Sequence, residues 1–296
     1  MTFPPSVRRG LGLMPASVAL FAVNALLIRG LSLAVPAADG WVASLFRGVI
    51  GLAVVAVFFR SGFMPGHLFK NRLLAIRGLL GGFGILVLYL TVVELGAGRA
   101  VIINLSYPIF GSLFAALWLG DSPPARPCAW MVAGFGGRFD IHGGGLDLAI
   151  GRYDLLALVG AVAAGAVVVM IRQLRHSEST ATIYAAQCLA SALIAVGPAA
   201  APTITLPSPA IALMTLAAVL VALAQLAMTH AYRSLSVARG SSIQMLLPLV
   251  TALGGWLLFG EHFTAVELGG AALTLFATTR ILSVPAVKPA EKSATA

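Results

Sequence analysis

Ten apolar runs, separated by short breaks of Gly, Pro and charge, take up nearly all of this sequence: residues 11–32, 41–59, 73–94, 98–119, 127–146, 153–172, 181–200, 208–232, 237–259 and 264–283. Crossing a bilayer in helical form takes about 20 apolar residues, and in lipid every backbone polar group must be satisfied within the chain. Runs of this length predict helices, so the expected fold is an all-α polytopic membrane protein with ten transmembrane helices. A soluble fold fails on surface. Hydrophobic types make up 59% of the 296 residues and charged types 10%, whereas soluble domains carry about 25% charged residues. The breaks are short, the longest running from Arg60 to Asn71, so no soluble domain is inserted.

The net charge of +9 would point to nucleic acid in a soluble protein, where clustered Lys and Arg neutralise phosphates. Here the basic residues stand singly or in pairs at the ends of apolar runs, so no nucleic-acid partner is expected. Their distribution orients the chain instead. With the N-terminus cytoplasmic, Arg29, Arg99, Arg138 and Arg152 fall outside, Arg47 falls within a helix, and the rest of the 19 Lys and Arg fall inside. Both termini are therefore expected in the cytoplasm. Arg8 and Arg9 precede an apolar run longer than a signal peptide's core, which reads as a first spanning helix. Cys128 and Cys188 lie in apolar runs without CxxC or metal spacing and read as small core residues.

The two halves of the sequence repeat. Gly98 to Asp121 reads GRAVIINLSYPIFGSLFAALWLGD, and Ala238 to Glu261 reads ARGSSIQMLLPLVTALGGWLLFGE. At a constant offset of 140, Arg99 falls on Arg239, Asn104 on Gln244, Pro108 on Pro248, Gly120 on Gly260 and Asp121 on Glu261. A weaker match aligns Leu27-Ile28-Arg29 with Met170-Ile171-Arg172. A repeated unit of five helices enters the membrane from the opposite side the second time, so the repeats are expected to be inverted. That architecture places a substrate site near mid-membrane at the interface of the halves and favours alternating access. The expected organisation is an N-terminal cytoplasmic segment 1–10, a first repeat 11–149, a second repeat 150–283 and a disordered cytoplasmic tail 284–296.

On these two halves, on the SYPIFGSLFAALWLGD and LLPLVTALGGWLLFGEHFT helices, and on AMTHAYRSLSVARG before the second, the sequence resembles the ten-helix EamA-type branch of the drug/metabolite transporter superfamily. The resemblance implies a carrier without bound cofactor, of which bacterial amino-acid exporters of the YddG type are the nearest functional analogue. Helices one to four and six to nine would form the basket, with five and ten outside it. One departure is the fifth run, which breaks at Gly136-Gly137-Arg138-Phe139-Asp140-Ile141-His142 after only about 11 residues, too few to span alone. Either its charges reach water from a frayed end, or Arg138, Asp140 and His142 form a gate or ion site.

Polar side chains cost free energy in hydrocarbon, so those within spans should face a cavity or another helix. Asn24, Tyr89, Asn104, Tyr107, Gln225 and Gln244 are the expected substrate-binding residues, amides and hydroxyls for polar groups and aromatic faces for apolar ones. The alternative is that each ties neighbouring helices together. Arg47, read as the one Arg deep in a span, is a gate candidate that could also hold a carboxylate; a backbone carbonyl or Glu94 is its structural alternative. His230 could couple transport to protons or cap its helix. Pro108 and Pro248 should bend their helices. Asp121 and Glu261, at helix C-termini where a carboxylate opposes the dipole, fit better at the start of a following helix.

An intramembrane enzyme would need paired carboxylates, HExxH or a Ser-His arrangement, and none is present in the sequence. The expected function is a secondary transporter of the bacterial inner membrane, most readily an amino-acid exporter. Carriers of nucleosides, cationic drugs or other metabolites remain open, as does a non-transporting scaffold. The expected partners are the lipid bilayer and a small-molecule substrate.

Overall fold

The structure is a computed structural model that describes residues 5–104, 106–119, 151–174, 177–231, 234–235, 240, 243–244 and 246–261. Its elements are helices: α1 (Pro5–Ala34), α2 (Gly40–Phe58), a 3-10 turn (Arg60–Gly62), α3 (His67–Lys70), α4 (Arg72–Leu95), α5 (Ala97–Asn104), α6 (Tyr107–Leu119), α7 (Arg152–Leu174), α8 (Thr180–Ile204), α9 (Ser208–Ala231) and α10 (Leu247–Phe259). No strand occurs among the described residues. Six helices, α1, α2, α4, α7, α8 and α9, are long and apolar enough to cross a membrane. The fifth and tenth runs, with Cys128, Arg138, Asp140 and His142, lie outside the described residues.

Local sequence sets the helix starts. Asp39 accepts from the Val42 N–H at 2.9 Å, and Asn71 accepts from Leu73 and Leu74 at 3.1 and 3.2 Å. Ser179 accepts from Thr182 at 3.0 Å. Each cap satisfies amide donors that a helix N-terminus leaves without intrahelical partners. The first helix begins at Pro5, so residues 5–10 continue it.

The expected proline bends are full breaks. α5 ends at Asn104 and α6 starts at Tyr107, bridged by the Ser106 N–H donating to Ile103 O at 3.1 Å. At offset 140, Leu246 N–H donates to Ile243 O at 3.0 Å and α10 starts at Leu247. Pro108 and Pro248 thus occupy first turns, where no amide donor is required.

Packing exchanges partners between the halves. α1 packs on α9, while its repeat equivalent α7 packs on α4. α4 packs on α8 as α9 packs on α2, and α6 on α7 as α10 on α1; α2 and α8 pack on each other. These pairs of contacts follow the 140-residue offset read from the sequence. The α4–α8 approach is close enough to need a residue without a side chain, since a Cβ at Gly82 would lie 2.7 Å from Ser191 N. Ser44 and Ser191 join α2 to α8 through a 2.8 Å hydroxyl contact.

Along the helices the apolar core is uneven. One large cluster, including Leu31, Ala38, Val92, Ala97, Ala199 and Leu206, occupies the end where α1, α4 and α8 finish. The opposite end has separate smaller clusters around Val55 and Tyr184, around Leu74 and Leu174, and around Met14 and Ala231.

Candidate functional site

Between the halves lies a cavity of about 530 Å³, within the 300–1,000 Å³ or so typical of small-molecule sites. It runs from mid-helix to the level of Arg172, Glu178 and Thr180, the end with the smaller clusters. All six expected substrate-binding residues line it: Asn24 from α1, Tyr89 from α4, Asn104 from α5, Tyr107 from α6, Gln225 from α9 and Gln244, a helical residue shortly before α10. The helix breaks explain part of this convergence. Asn104 and Tyr107 flank the first break, Gln244 and Leu247 the second, and all four line the cavity. Discontinuous helices at mid-membrane present both side chains and freed backbone groups to a site.

Three of the polar side chains form one network with Arg47. Arg47 donates to the Tyr89 hydroxyl at 3.2 Å and to Gln225 Oε1 at 3.4 Å, and its guanidinium stands 5.9 Å from the Tyr89 ring centre. The Tyr89 hydroxyl donates to Asn24 Oδ1 at 3.1 Å, and Asn24 Nδ2 donates to Ala217 O at 3.0 Å. Gln244 donates to Ser17 Oγ at 3.0 Å. The remaining wall is apolar, including Phe21, Ile85, Leu88, Val92, Val167 and Leu247. The site can thus offer hydrogen bonds at one face and hydrocarbon at the others.

Arg47 does not pair with Glu94, which is exposed; its partners are neutral. His230 sits exposed in the last turn of α9, away from the cavity wall. Sequence reasoning missed Arg77. Assigned to the inner surface, it is instead 1% exposed, lines the cavity and donates to Ile183 O at 2.7 Å. Arg47 is therefore not the lone deep arginine. The available signal was that Arg77 falls inside the run 73–94, followed by Gly78, Gly81 and Gly82, which let another helix close over it. Gln187, the repeat equivalent of Arg47, also lines the cavity and donates to Gly81 O at 3.3 Å.

The other end of the cavity is closed. Glu261 accepts from the Ala97 and Gly98 N–H groups at 3.1 and 3.3 Å and lies 3.5 Å from Arg29 Nε. Arg29 also donates to Val93 O. A carboxylate on the first amides of a helix is favourably placed against its dipole. The helix it caps among the described residues is α5, in the other half.

A solved crystal structure, described only as that of a protein, is 18% identical to this chain with a TM-score of 0.62, covering 94% of this chain and 96% of its own; at that identity the likeness concerns the fold. No curated protein matches the chain. Residues 151–283 match the family model of the EamA-like transporter family, a family of transporters rather than enzymes. That match makes the second half of the chain similar to EamA-like transporters, and with six helices long and apolar enough to cross a membrane it supports a multi-pass membrane protein.

Proposed function

We propose that this protein is a secondary carrier of the bacterial inner membrane that exports small amphipathic metabolites, amino acids first among them, by alternating access. The observation that carries this reading is the convergence of six intramembrane polar side chains, drawn from both halves, on one cavity that reaches one end of the bundle and is closed at the other. Two related halves that exchange packing partners suit a carrier, because rocking one against the other can close the wide end and open the sealed one. The charge distribution puts both termini, and with them the wide end, on the cytoplasmic side. Asn24, Tyr89, Asn104, Tyr107, Gln225 and Gln244 bind the substrate; Arg47 belongs to the same network.

The test is release of labelled amino acids from proteoliposomes containing the purified chain, with and without a pH gradient. Asn104→Ala and Gln244→Ala are expected to lower release about tenfold or more, the loss of one to two substrate hydrogen bonds. Unchanged release and selectivity in both folded variants would overturn the site. Failure of every amino acid would move the substrate to another metabolite class. A dependence on the gradient that His230→Gln removes would assign coupling to that residue.

A further inference from the structure

Arg47 and Arg77 are 3% and 1% exposed, lie inside membrane-spanning helices and both line the cavity. Neither has a carboxylate partner among the described residues; the ion pairs there are Arg29 with Glu261, His67 with Glu178 and Arg99 with Asp154. The Nε of each is buried without a hydrogen-bond partner. Burying an uncompensated cation is among the costlier arrangements a membrane protein can hold, and where it occurs it ordinarily faces a functional pathway. The two arginines are held differently. Arg77 has a short bond to Ile183 O at 2.7 Å, which fixes it to the wall. Arg47 reaches only neutral oxygens, at 3.2 and 3.4 Å, long for charge-assisted bonds, which run about 2.7–2.9 Å. Its two bonds are longer than the one that holds Arg77, so its fork is the more readily turned to a ligand.

Resting on the carrier reading of this cavity, we propose that its substrates bear a carboxylate and that Arg47 is the residue that holds it, with an apolar portion lying against Leu88, Val92 and neighbouring wall. A guanidinium fork matches a carboxylate with two parallel N–H···O bonds, and the positive potential from Arg77 adds to the attraction. The carboxylate of the cavity wall itself, Glu178, lies at the rim, engaged by His67 and by Asn71 Nδ2 at 2.9 Å. A dianionic phosphate is a poorer fit, because beyond Arg47 the deep wall offers neutral amides and hydroxyls while the Arg77 fork is drawn to Ile183 O. A substrate's ammonium finds no free carboxylate at this depth among the described residues. The carboxylate, not the amine, therefore dominates recognition.

Three matched compounds separate the charges: phenylpropionate, with the carboxylate alone; phenylalanine, with both groups; and phenylethylamine, with the amine alone. Binding is read as a rise in the melting temperature of the full chain in detergent, at equal millimolar concentrations. Both carboxylates are expected to stabilise the protein and the amine is not. Arg47→Gln is expected to weaken carboxylate binding by about 30-fold, the lower end of what losing one partner of a buried charged pair costs. Arg47→Lys, which keeps the charge and loses the fork, should fall between. The inference is overturned if phenylethylamine stabilises as well as phenylpropionate, if neither carboxylate stabilises, or if folded Arg47→Gln binds the carboxylates as the native chain does. The ligand comparison needs no variant, so it decides even if Arg47→Gln does not fold. Phenylpropionate binding without phenylalanine binding would end the amino-acid reading and leave this one standing.

Discussion

The two ends of the cavity are each marked by a carboxylate from the second half that engages groups of the first. Glu261, at the sealed end, ties three helix termini together through the Ala97 and Gly98 amides and Arg29, beneath one large apolar cluster. Glu178, at the wide end, fastens only the short helix α3 and the cap of α4 through His67 and Asn71, among clusters that remain apart. One carboxylate therefore spans the elements that close, while the other stands beside an opening. Under the proposed alternating access, the sealed end would open by releasing Glu261 and the wide end would close by merging its separate clusters. The stability of the closed state should respond to substitutions at one end far more than at the other.

The largest effect is expected at Gly96, which has φ +89 and ψ 159 where α4 turns into α5. That region is open essentially to Gly alone, and occupying it with another residue costs about 1–3 kcal/mol. A Cβ there would also lie 2.6 Å from Glu261 Oε1. Gly96→Ala should lower the melting temperature and loosen the seal together. The seal can be read with a single cysteine at Val92, a cavity residue, in a Cys128→Ser, Cys188→Ala background. A membrane-impermeant thiol reagent added from the sealed side should label Val92→Cys faster when Gly96 is replaced. Unchanged labelling in a destabilised protein would mean that the turn supports folding without supporting closure.

Glu261→Ala comes next. It removes the cap from α5 and the ion pair from Arg29 while leaving the backbone unstrained. Loss of an N-terminal cap costs about 0.5–2 kcal/mol, and the partly buried pair with Arg29, 3.5 Å apart, adds about 1 kcal/mol. A shift of about 1–2 kcal/mol changes the closed-to-open ratio by about 5–30-fold, which the same labelling rate reports. Glu261→Gln keeps one of the two acceptor oxygens that the Ala97 and Gly98 amides use, so it should retain more of the seal than Glu261→Ala. Equal loss in both variants would assign closure to the Arg29 pair instead.

Much of this architecture was legible because the bilayer fixes the length of a span. The run 73–94 became Arg72–Leu95 and the run 181–200 became Thr180–Ile204, with edges set by Asn71 and Ser179, side chains whose capping chemistry the sequence displays. The first helix starts earlier than its apolar run because Arg8 and Arg9 can be helical while reaching water. The polar lining was legible on cost alone, since an amide in mid-span needs a cavity or a partner. What a linear pattern cannot give is which face a residue near a span's end will take. Arg77 is only about one and a half turns from the start of α4, where an arginine ordinarily extends to the surface. It is buried because α8 packs against the glycine-rich face of α4, and that approach becomes visible only in three dimensions. The same applies to Glu261. The dipole argument excluded a role at its own helix's end, but the amides it serves lie 164 and 163 residues away.

The smallest effect is expected at the wide end, and its size sharpens the comparison. The Glu178 side chain is 3% exposed, so deleting it would confuse closure with a buried void, whereas Glu178→Gln preserves shape. The amide oxygen can still accept from Asn71 Nδ2, and the amide N–H can donate to a neutral His67 ring nitrogen, so the local hydrogen bonds persist while the charge is lost. His67 is 46% exposed, and solvent screening limits what its charge contributes. Stability should fall by less than about 1 kcal/mol, and labelling of Val92→Cys from the sealed side should not change, because nothing that holds the seal touches Glu178. A labelling increase comparable to that of Glu261→Ala would mean that the ends are coupled rigidly, so that loosening one loosens the other. Little change would leave the seal a local property of Gly96, Glu261 and Arg29, released without rearranging the wide end first.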